Sequence, residues 1–308
     1  MHMTTVNNGW LAFELSVLRR LKFRSAAIPF MGEPDLGIYL KRWGVTVAAN
    51  DEARWAHTKA QAFIENNTER LSELDVETAL EDAYVPNHKL NNPALRRWFG
   101  ESDAWWFENV KENIEALESD SARSLALAFG MMVGDYALSF DDETRELRQP
   151  LSKIFYRLWK NAAAPVDNKR ANTSHNRQAR EFLAEQRTDL MFLRLPQLTN
   201  RRENGRGSLQ AWREEWLRGT DAFWEETVRG HMGRLGAPVQ SRQQYLYLLE
   251  DLLSVALHLP KWAIAHVEDG YITTQELVES INRVRKVETI YTKDFSELMG
   301  TRAVIITA

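Results

Sequence analysis

Hydrophobic and polar positions in the first fifty residues predict a helix, a strand, a second helix and a second strand. Apolar side chains favour one broad helical face over residues 8–21. The apolar run 26–30 ends in a turn at 32–35, and helical spacing follows over 36–42. Residues 45–49 are uniformly apolar or β-branched, as in a buried strand. This order is typical of the opening half of a doubly wound sheet.

A long helical pattern separates this opening from the next predicted strand. Residues 52–159 keep helical spacing almost throughout, interrupted by a loop at 85–93 that holds two prolines and three asparagines. Residues 162–177 are polar and predict a loop. A short helix is predicted over 177–186, and a buried strand over 189–193.

Helices and closing strands are predicted for the last third of the chain. Helical spacing covers 209–233 and 241–258, and a strand is predicted at 261–266. Thr273 and Glu276 have capping-box spacing for a helix that reaches about Val284. A final β-hairpin is predicted from residues 287–291 and 302–307.

These elements predict an α/β fold with a Rossmann-like sheet and a long α-helical insertion. The predicted organisation is an N-terminal helix with the first half of the core at 1–65, the helical insertion at 66–160, a core strand at 161–200, a basic loop with helices at 201–258, and C-terminal core strands with the hairpin at 259–308.

Composition limits the classes of protein that remain. The sequence has no cysteine, which excludes disulfides, thiolate metal sites and a cysteine nucleophile, and fits a reducing compartment. No apolar run approaches the roughly 18 residues that span a bilayer. The first twenty residues include Glu14, Arg19 and Arg20 and lack the pattern of a signal peptide. We therefore expect a cytoplasmic protein without membrane contact.

Charge and motifs exclude further classes. The net charge of −4 argues against a protein that coats nucleic acid through its overall field, although it leaves room for a local basic groove. The seven histidines lack the spacing of a metal site, so no metal is expected. The sequence contains neither a phosphate-binding P-loop nor a Gly-x-Ser-x-Gly nucleophile turn.

Four segments, taken in chain order, resemble the Dam-like adenine-specific DNA methyltransferases. They are the stretch from Ile28 to Asp51, which includes Pro-Phe-Met-Gly and ends in Asn-Asp; Ile64-Glu-Asn-Asn67; the helix and strand at 176–193; and the late strand, acidic turn, helix and hairpin at 257–297. The resemblance implies a class-I, S-adenosylmethionine-dependent methyltransferase sheet that carries the helical insertion.

The resemblance also implies a cofactor site, with S-adenosylmethionine as the candidate ligand. The positions that match the family's cofactor residues are Phe30, Gly32, Gly37 and Asp51. A glycine turn lets the backbone approach the cofactor, and the acid binds the ribose hydroxyls. Pro34 replaces the middle glycine of the turn and removes an N–H donor. The family's N-terminal lysine motif has no counterpart before Phe30.

The catalytic motif of the family is altered. Its Asp-Pro-Pro-Tyr matches Arg194, Leu195, Pro196 and Gln197. In the family the Asp accepts a hydrogen bond from the adenine amine and the Tyr stacks on the flipped base. A guanidinium accepts no hydrogen bond. If the Arg194 side chain points inward, its positive charge lies near the sulfonium of the cofactor. Two positive charges about 5 Å apart repel each other by roughly 3 kcal/mol at a dielectric constant near 20. An outward rotamer of Arg194 would relieve this repulsion.

Two basic segments are candidates for DNA contact. One is the loop that carries Arg201, Arg202 and Arg206, directly after the altered motif. The other is Lys169 and Arg170. The alternative for both is a solvated charged loop.

The sequence has eleven tryptophans. We expect Trp105-Trp106-Phe107 to pack inside the insertion or to form a protein interface rather than to stack on bases.

Three hypotheses remain from the sequence. The first is a catalytically degenerate methyltransferase relative that acts as a DNA-binding or regulatory subunit of a modification or defence system. The second is a divergent but active DNA adenine methyltransferase. The third is a protein-interaction module that docks a partner through the Trp-rich insertion and does not bind nucleic acid.

Overall fold

A seven-stranded sheet forms the centre of the computed structural model, which describes residues 8–141, 143–196, 210–237, 239–268, 271–296 and 300–308. The strands are β1 (Ser25–Ile28), β2 (Thr46–Asn50), β3 (Thr173–His175), β4 (Leu190–Arg194), β5 (Lys261–Glu268), β6 (Thr289–Phe295) and β7 (Thr301–Thr307). Their order across the sheet is β3-β2-β1-β4-β5-β7-β6. Strands β1 to β5 pair in parallel, and β7 runs antiparallel to both neighbours. The predicted α/β fold class, with a mostly parallel sheet, is confirmed.

Twelve α-helices are described around this sheet. They are α1 (Asn8–Leu18), α2 (Asp35–Arg42), α3 (Arg54–Ala60), α4 (Glu73–Leu80), α5 (Glu101–Glu115), α6 (Asp120–Leu138), α7 (Leu151–Lys160), α8 (Ala179–Glu185), α9 (Ala211–Arg218), α10 (Trp224–His231), α11 (Arg242–Val255) and α12 (Thr274–Val284). A π-helical turn at Gln61–Glu65 extends α3, and short 3-10 turns lie at Pro93–Arg97 and Arg145–Leu147.

Helices cover both faces of the sheet, which explains why its central strands are uniformly apolar. On one face, α1 and α2 pack against side chains such as Ile28, Val47 and Phe192. On the other face, α8, α11 and α12 pack against neighbours such as Met191 and Ile264. The side chains of β4 from Leu190 to Leu193 are consequently all buried.

The helical insertion between β2 and β3 has its own hydrophobic core. Helices α3 to α7 bury the aromatic sequence Trp105, Trp106 and Phe107, with Trp106 and Phe107 fully inaccessible. The indole of Trp106 donates to the Ser152 hydroxyl at 2.8 Å. The three rings are therefore packing residues of the insertion, as expected, and none of them offers a free face for a base.

Helix α9, which follows β4 in the chain, completes this core. Trp212 and Trp216 lie one turn apart on α9 and face Gly130 and Gly134, one turn apart on α6. A Cβ atom at Gly134 would lie less than 3.0 Å from three ring carbons of Trp212. The two glycines therefore form a groove for the two indoles, and α9 is buried over Ala211–Leu217.

Two predicted elements differ from the structure. Residues 162–177, predicted as a loop, contain β3, whose polar Thr-Ser-His sequence suits a half-exposed edge strand better than a buried one. The helical segment predicted over 209–233 is divided into α9 and α10, because Gly219 takes a left-handed conformation (φ 74°) that ends α9. The capping box at Thr273 and Glu276 is confirmed. Across the described residues, no helix is both long and apolar enough to cross a membrane.

Candidate functional site

The candidate site lies where the order of the strands reverses. β1 lies between β2 and β4, so the chain leaves β1 toward one edge of the sheet and leaves β4 toward the other. Crevices at the carboxyl ends of strands at such a point are the usual ligand sites of open α/β sheets. A cleft of about 440 Å³ opens there. The predicted site residues that line it are Phe30, Gly32, Asp51, Arg194, Leu195 and Pro196.

The carboxylate of Asp51, directly after β2, ties the turn after β1 to the end of β2 by accepting hydrogen bonds from backbone N–H groups. Gly32 has φ 57°, a conformation that favours glycine, and its N–H donates to Asp51 Oδ2 at 2.9 Å. The Ala53 N–H donates to Asp51 Oδ1, also at 2.9 Å. Each carboxylate oxygen therefore has one protein donor and keeps acceptor capacity for a ligand hydroxyl.

The protonation of Asp51 is sensitive to pH near neutrality. Burial, with smaller effects from the negative charges of Glu214 and Glu52, raises the pKa of Asp51 to about 6, although the two backbone N–H groups oppose the rise. Asp51 is a carboxylate above this pH and a neutral acid below it. Hydrogen bonding at this position is thus strongest at neutral or alkaline pH.

Two further positions of the predicted cofactor motif, Pro34 and Gly37, are less favourable for binding a cofactor. Pro34 precedes the first residue of α2, so the helix begins without a donor from that residue and without a side-chain cap. Gly37 is buried in α2, where an added Cβ would lie 2.6 Å from Ile64 Cδ1. Its small size lets α2 pack against the π-helical turn, and Gly37 does not line the cleft.

Arg194, at the end of β4, is held by a buried ion pair. Its Nε donates to Glu14 Oε1 at 2.8 Å and its Nη2 donates to Glu14 Oε2 at 2.7 Å. The Glu14 side chain is fully buried, and the Trp10 indole donates to it at 2.8 Å. Burial lowers the pKa of Arg194, but the hydrogen bonds and charge of Glu14 outweigh it, so the pKa is raised.

This pair corrects the expected electrostatics of the site. A lone guanidinium was expected to repel a sulfonium unless it turned outward. Arg194 instead remains at the cleft and is neutralised by Glu14, with Asp35 as a further negative group nearby. The pair removes the predicted repulsion without supplying the hydrogen-bond acceptor that the methylation chemistry needs.

A second buried network supports the turn from the side of the insertion. Glu33 accepts hydrogen bonds from Lys59 at 2.8 Å and from Arg213 at 2.7 Å, and Arg213 also donates to Asp135 at 2.5 Å. The guanidinium of Arg213 lies 4.8 Å from the ring centre of Trp55. Burial by itself raises the pKa of Glu33, but the charges of Lys59 and Arg213 outweigh it and lower the pKa. The ion pairs join the turn to α9.

Helix α10 and the segment after it form the outer wall of the cleft. Glu52 accepts from Arg234 at 3.3 Å and lies 3.0 Å from His231. None of the α10 side chains is buried. A second cleft of about 510 Å³ lies beside the first and shares Trp55, Gln210 and the Glu52 contacts with it. Sequence reasoning missed this wall because Glu52 is about 180 residues from its partners.

Lys169 and Arg170 lie away from the cleft. They are exposed in a turn before β3, where Asn168 donates to the Val45 carbonyl at 2.8 Å and Lys169 pairs with Asp167 at 2.6 Å. Because β2 and β3 are parallel, this turn lies at the amino-terminal edge of the sheet, opposite the cleft. The other predicted residues, Gln197, Arg201, Arg202 and Arg206, lie outside the described residues.

In the part of the chain that the structure describes, no group of three or more His, Asp or Glu side chains is placed to hold a metal ion.

A scan against protein-family models finds no match to the chain, and a search of curated proteins finds no significant similarity.

Proposed function

We propose that this chain is a catalytically degenerate relative of the DNA adenine methyltransferases, which binds DNA or regulates a partner in a DNA modification or defence system. The observation that carries the proposal is the end of β4. A guanidinium locked to a buried carboxylate stands there, where methyl transfer to adenine requires a hydrogen-bond acceptor.

The finer identity of the fold is part of this proposal. The order β3-β2-β1-β4-β5-β7-β6, with β7 antiparallel, agrees with a Rossmann-like sheet of the class-I methyltransferase type. The helical insertion after β2 agrees with the segment order from which the resemblance was inferred. Both observations support a common ancestry of the fold. Whether the chain is active depends on the residues of the site.

The cleft suits the nucleoside part of S-adenosylmethionine or S-adenosylhomocysteine. Asp51 keeps acceptor capacity for ribose hydroxyls, Gly32 brings the backbone to the cleft, and Phe30 adds an apolar wall. When bound, S-adenosylmethionine supplies an activated methyl group. The chain's own residues would hold and orient it, but Arg194, Leu195 and Pro196, the described residues at the position of the catalytic motif, include no carboxylate to replace the missing acceptor.

The alternative of a partner docked through the Trp-rich helical insertion gains no support from two of its tryptophans or from those of α9. Trp105, Trp106, Trp212 and Trp216 are buried in its core. DNA contact through the Arg201 to Arg206 loop stays a proposal that rests on the resemblance. Contact through Lys169 and Arg170 would use the opposite edge of the molecule from the cleft.

Two measurements on the full chain test the proposal. Isothermal titration with S-adenosylhomocysteine is expected to show binding that weakens by about tenfold or more in Asp51→Asn, because a hydrogen bond to a charged acceptor is lost. Asp167→Asn, at the opposite edge, is the matched control and should bind normally. Incubation with labelled S-adenosylmethionine and DNA should leave the DNA unmethylated, and a methylated base would refute the hypothesis that the chain is catalytically degenerate.

A further inference from the structure

The loops at the amino-terminal edge of the sheet, opposite the cleft, are rich in basic side chains. Residues 19–24 have the sequence Arg-Arg-Leu-Lys-Phe-Arg and link α1 to β1. The exposed cationic side chains of this edge are here called the basic edge: Arg19, Arg20, Lys22, Arg24, Arg42 and Arg170. None of the six forms an ion pair with another residue that the structure describes.

Contacts between the loops join these side chains into one surface. The Arg24 backbone N–H donates to Asp189 before β4 at 2.7 Å, and Lys261 at the start of β5 donates to the Lys22 carbonyl. The turn that carries Arg170 is held at the start of β2 by a side-chain hydrogen bond of 2.8 Å. The surface therefore reaches from β3 to β5, which is four strand spacings of about 4.8 Å, or roughly 19 Å.

Aromatic rings orient three of the guanidinium groups. Arg19 lies 5.1 Å from the ring centre of Trp43, and Arg20 lies 5.5 Å from that of Tyr291. Arg42 lies over a third ring, also at 5.1 Å. Trp43 and Tyr291 pack against the hydrophobic core on this face of the sheet. A guanidinium stacked in this way keeps its N–H groups for an anion and loses little freedom when it binds one.

Positive charge dominates this edge, although the chain as a whole has a net charge of −4. The two acids within it are both engaged: Asp167 pairs with Lys169 at 2.6 Å, and Asp189 accepts from two backbone N–H groups at the start of β1. Glu65, beside β3, and Glu288, before β6, lie farther along. Against the two acids stand eight basic residues, counted over 19–24, 42–45, 167–170, 189 and 261. The edge thus offers a concentrated positive field to an anionic partner.

The neighbouring side chains indicate which kind of polyanion fits. Binding to a lipid surface buries apolar side chains in it, but Leu21 and Phe23 pack against the core of the protein instead. Stacking of single-stranded bases needs free aromatic faces, whereas the rings here carry guanidinium groups. A DNA duplex presents roughly eleven phosphate charges along 19 Å, which is enough to engage all six cations.

We infer that the basic edge binds the phosphate backbone of double-stranded DNA, independently of base sequence, on the side of the molecule opposite the cleft. Phosphate contacts of this kind position a protein on DNA and carry no sequence information. The cleft stays open to a ligand of its own. The inference deepens the DNA-binding part of the proposed function and rests on it.

Fluorescence anisotropy with labelled duplexes of about 25 base pairs tests this on the full chain, and two duplexes of unrelated sequence should bind equally well. If four to six of the cations contact phosphates, log K should fall with log salt concentration with a slope of about −4 to −5. Replacing three of them together, Lys22→Gln, Arg24→Gln and Arg42→Gln, should weaken binding by about thirtyfold or more and reduce the size of the slope by about 3.

The matched control removes the same three charges from exposed positions of the helical insertion, with Arg70→Gln, Lys89→Gln and Arg157→Gln. It should leave the affinity and the salt slope nearly unchanged. Thermal unfolding should show that both triple variants are folded. Equal weakening by the two variants, or no duplex binding by the unmodified chain, would overturn the inference.

Two further comparisons separate this surface from the alternatives. If the basic-edge variant loses binding to phosphatidylserine vesicles but binds the duplex normally, the partner is a membrane and the inference is wrong. It is equally wrong if only Arg201→Gln with Arg202→Gln and Arg206→Gln weakens duplex binding, although DNA binding as such would then stand. Duplex binding at the basic edge without any S-adenosylhomocysteine binding would support the inference while refuting the proposed cofactor site.

Discussion

Replacing Gly134 by alanine tests how α9 docks on the helical insertion. Alanine favours a helix over glycine by about 1 kcal/mol, so an open position would gain stability. At Gly134 the new Cβ would lie less than 3.0 Å from three Trp212 ring carbons, and overpacking of this kind costs about 1–3 kcal/mol or more. The cost of overpacking should exceed the gain from the helical preference of alanine. We expect Gly134→Ala to lower the free energy of unfolding by about 1–2 kcal/mol.

Urea unfolding followed by tryptophan fluorescence measures this change, and Gly230→Ala provides the control. Gly230 lies in α10 with nothing within 4 Å of an added Cβ, so only the helical preference acts and the variant should be slightly stabilised. Adding Trp212→Phe to Gly134→Ala should recover part of the loss, since the smaller ring frees space. If Gly134→Ala gains as much stability as Gly230→Ala, the docking of α9 in this groove is wrong.

Three further predictions concern the cleft. The affinity for S-adenosylhomocysteine should fall about tenfold between pH 7 and pH 5, because the pKa of Asp51 is about 6 and its protonation removes acceptor capacity; calorimetry on Asp51→Asn should show a flat profile. Glu14→Gln should destabilise the fold by about 2–4 kcal/mol by leaving Arg194 without its partner, and urea unfolding of the Glu14→Leu, Arg194→Met pair should show most of that loss restored. Glu52→Gln should speed amide hydrogen exchange in α10, which buries no side chain, without changing exchange in α11; unchanged exchange in α10 would show that Glu52 does not hold this wall.

The raised pKa of Asp51 also has a consequence for stability. A carboxyl whose pKa is higher in the folded chain stabilises the fold in its neutral form, and that contribution is lost as the pH rises through about 6. A ligand that hydrogen-bonds the carboxylate offsets the loss. The stabilisation of the protein by S-adenosylhomocysteine should therefore be larger at pH 7.5 than at pH 5, which thermal unfolding with and without ligand would detect.

Local patterns predicted most of the sheet and helices because they are determined by short-range periodicity. The strands at β1, β2, β4 and β5 are apolar runs, and the α12 boundary follows from its capping box. β3 was missed because an edge strand of three polar residues has no such run. The break at Gly219 was missed because the helical spacing continues on both sides of it.

The sequence predicted several residues of the candidate site but not the ion pairs between them. Phe30, Gly32, Asp51 and Arg194 were placed by motif order, and the structure brings them to one cleft. The ion pairs that decide its chemistry join residues about 180 positions apart, as in Glu14 with Arg194. No periodicity links such partners. Gly37 illustrates the opposite error, since a glycine at a motif position has a packing role here.

The groove on α6 has a consequence for how the protein is made on the ribosome. Gly130 and Gly134 are synthesised roughly 80 residues before Trp212 and Trp216, the two residues whose indoles fill the groove at these glycines. At about 5–20 residues per second, translation leaves the nascent insertion without these two indoles for roughly 4–16 s. During that interval an apolar surface is open to chaperones and to neighbouring nascent chains. The helical insertion thus reaches its final packing only after β4 has been synthesised, which couples its maturation to that of the cleft.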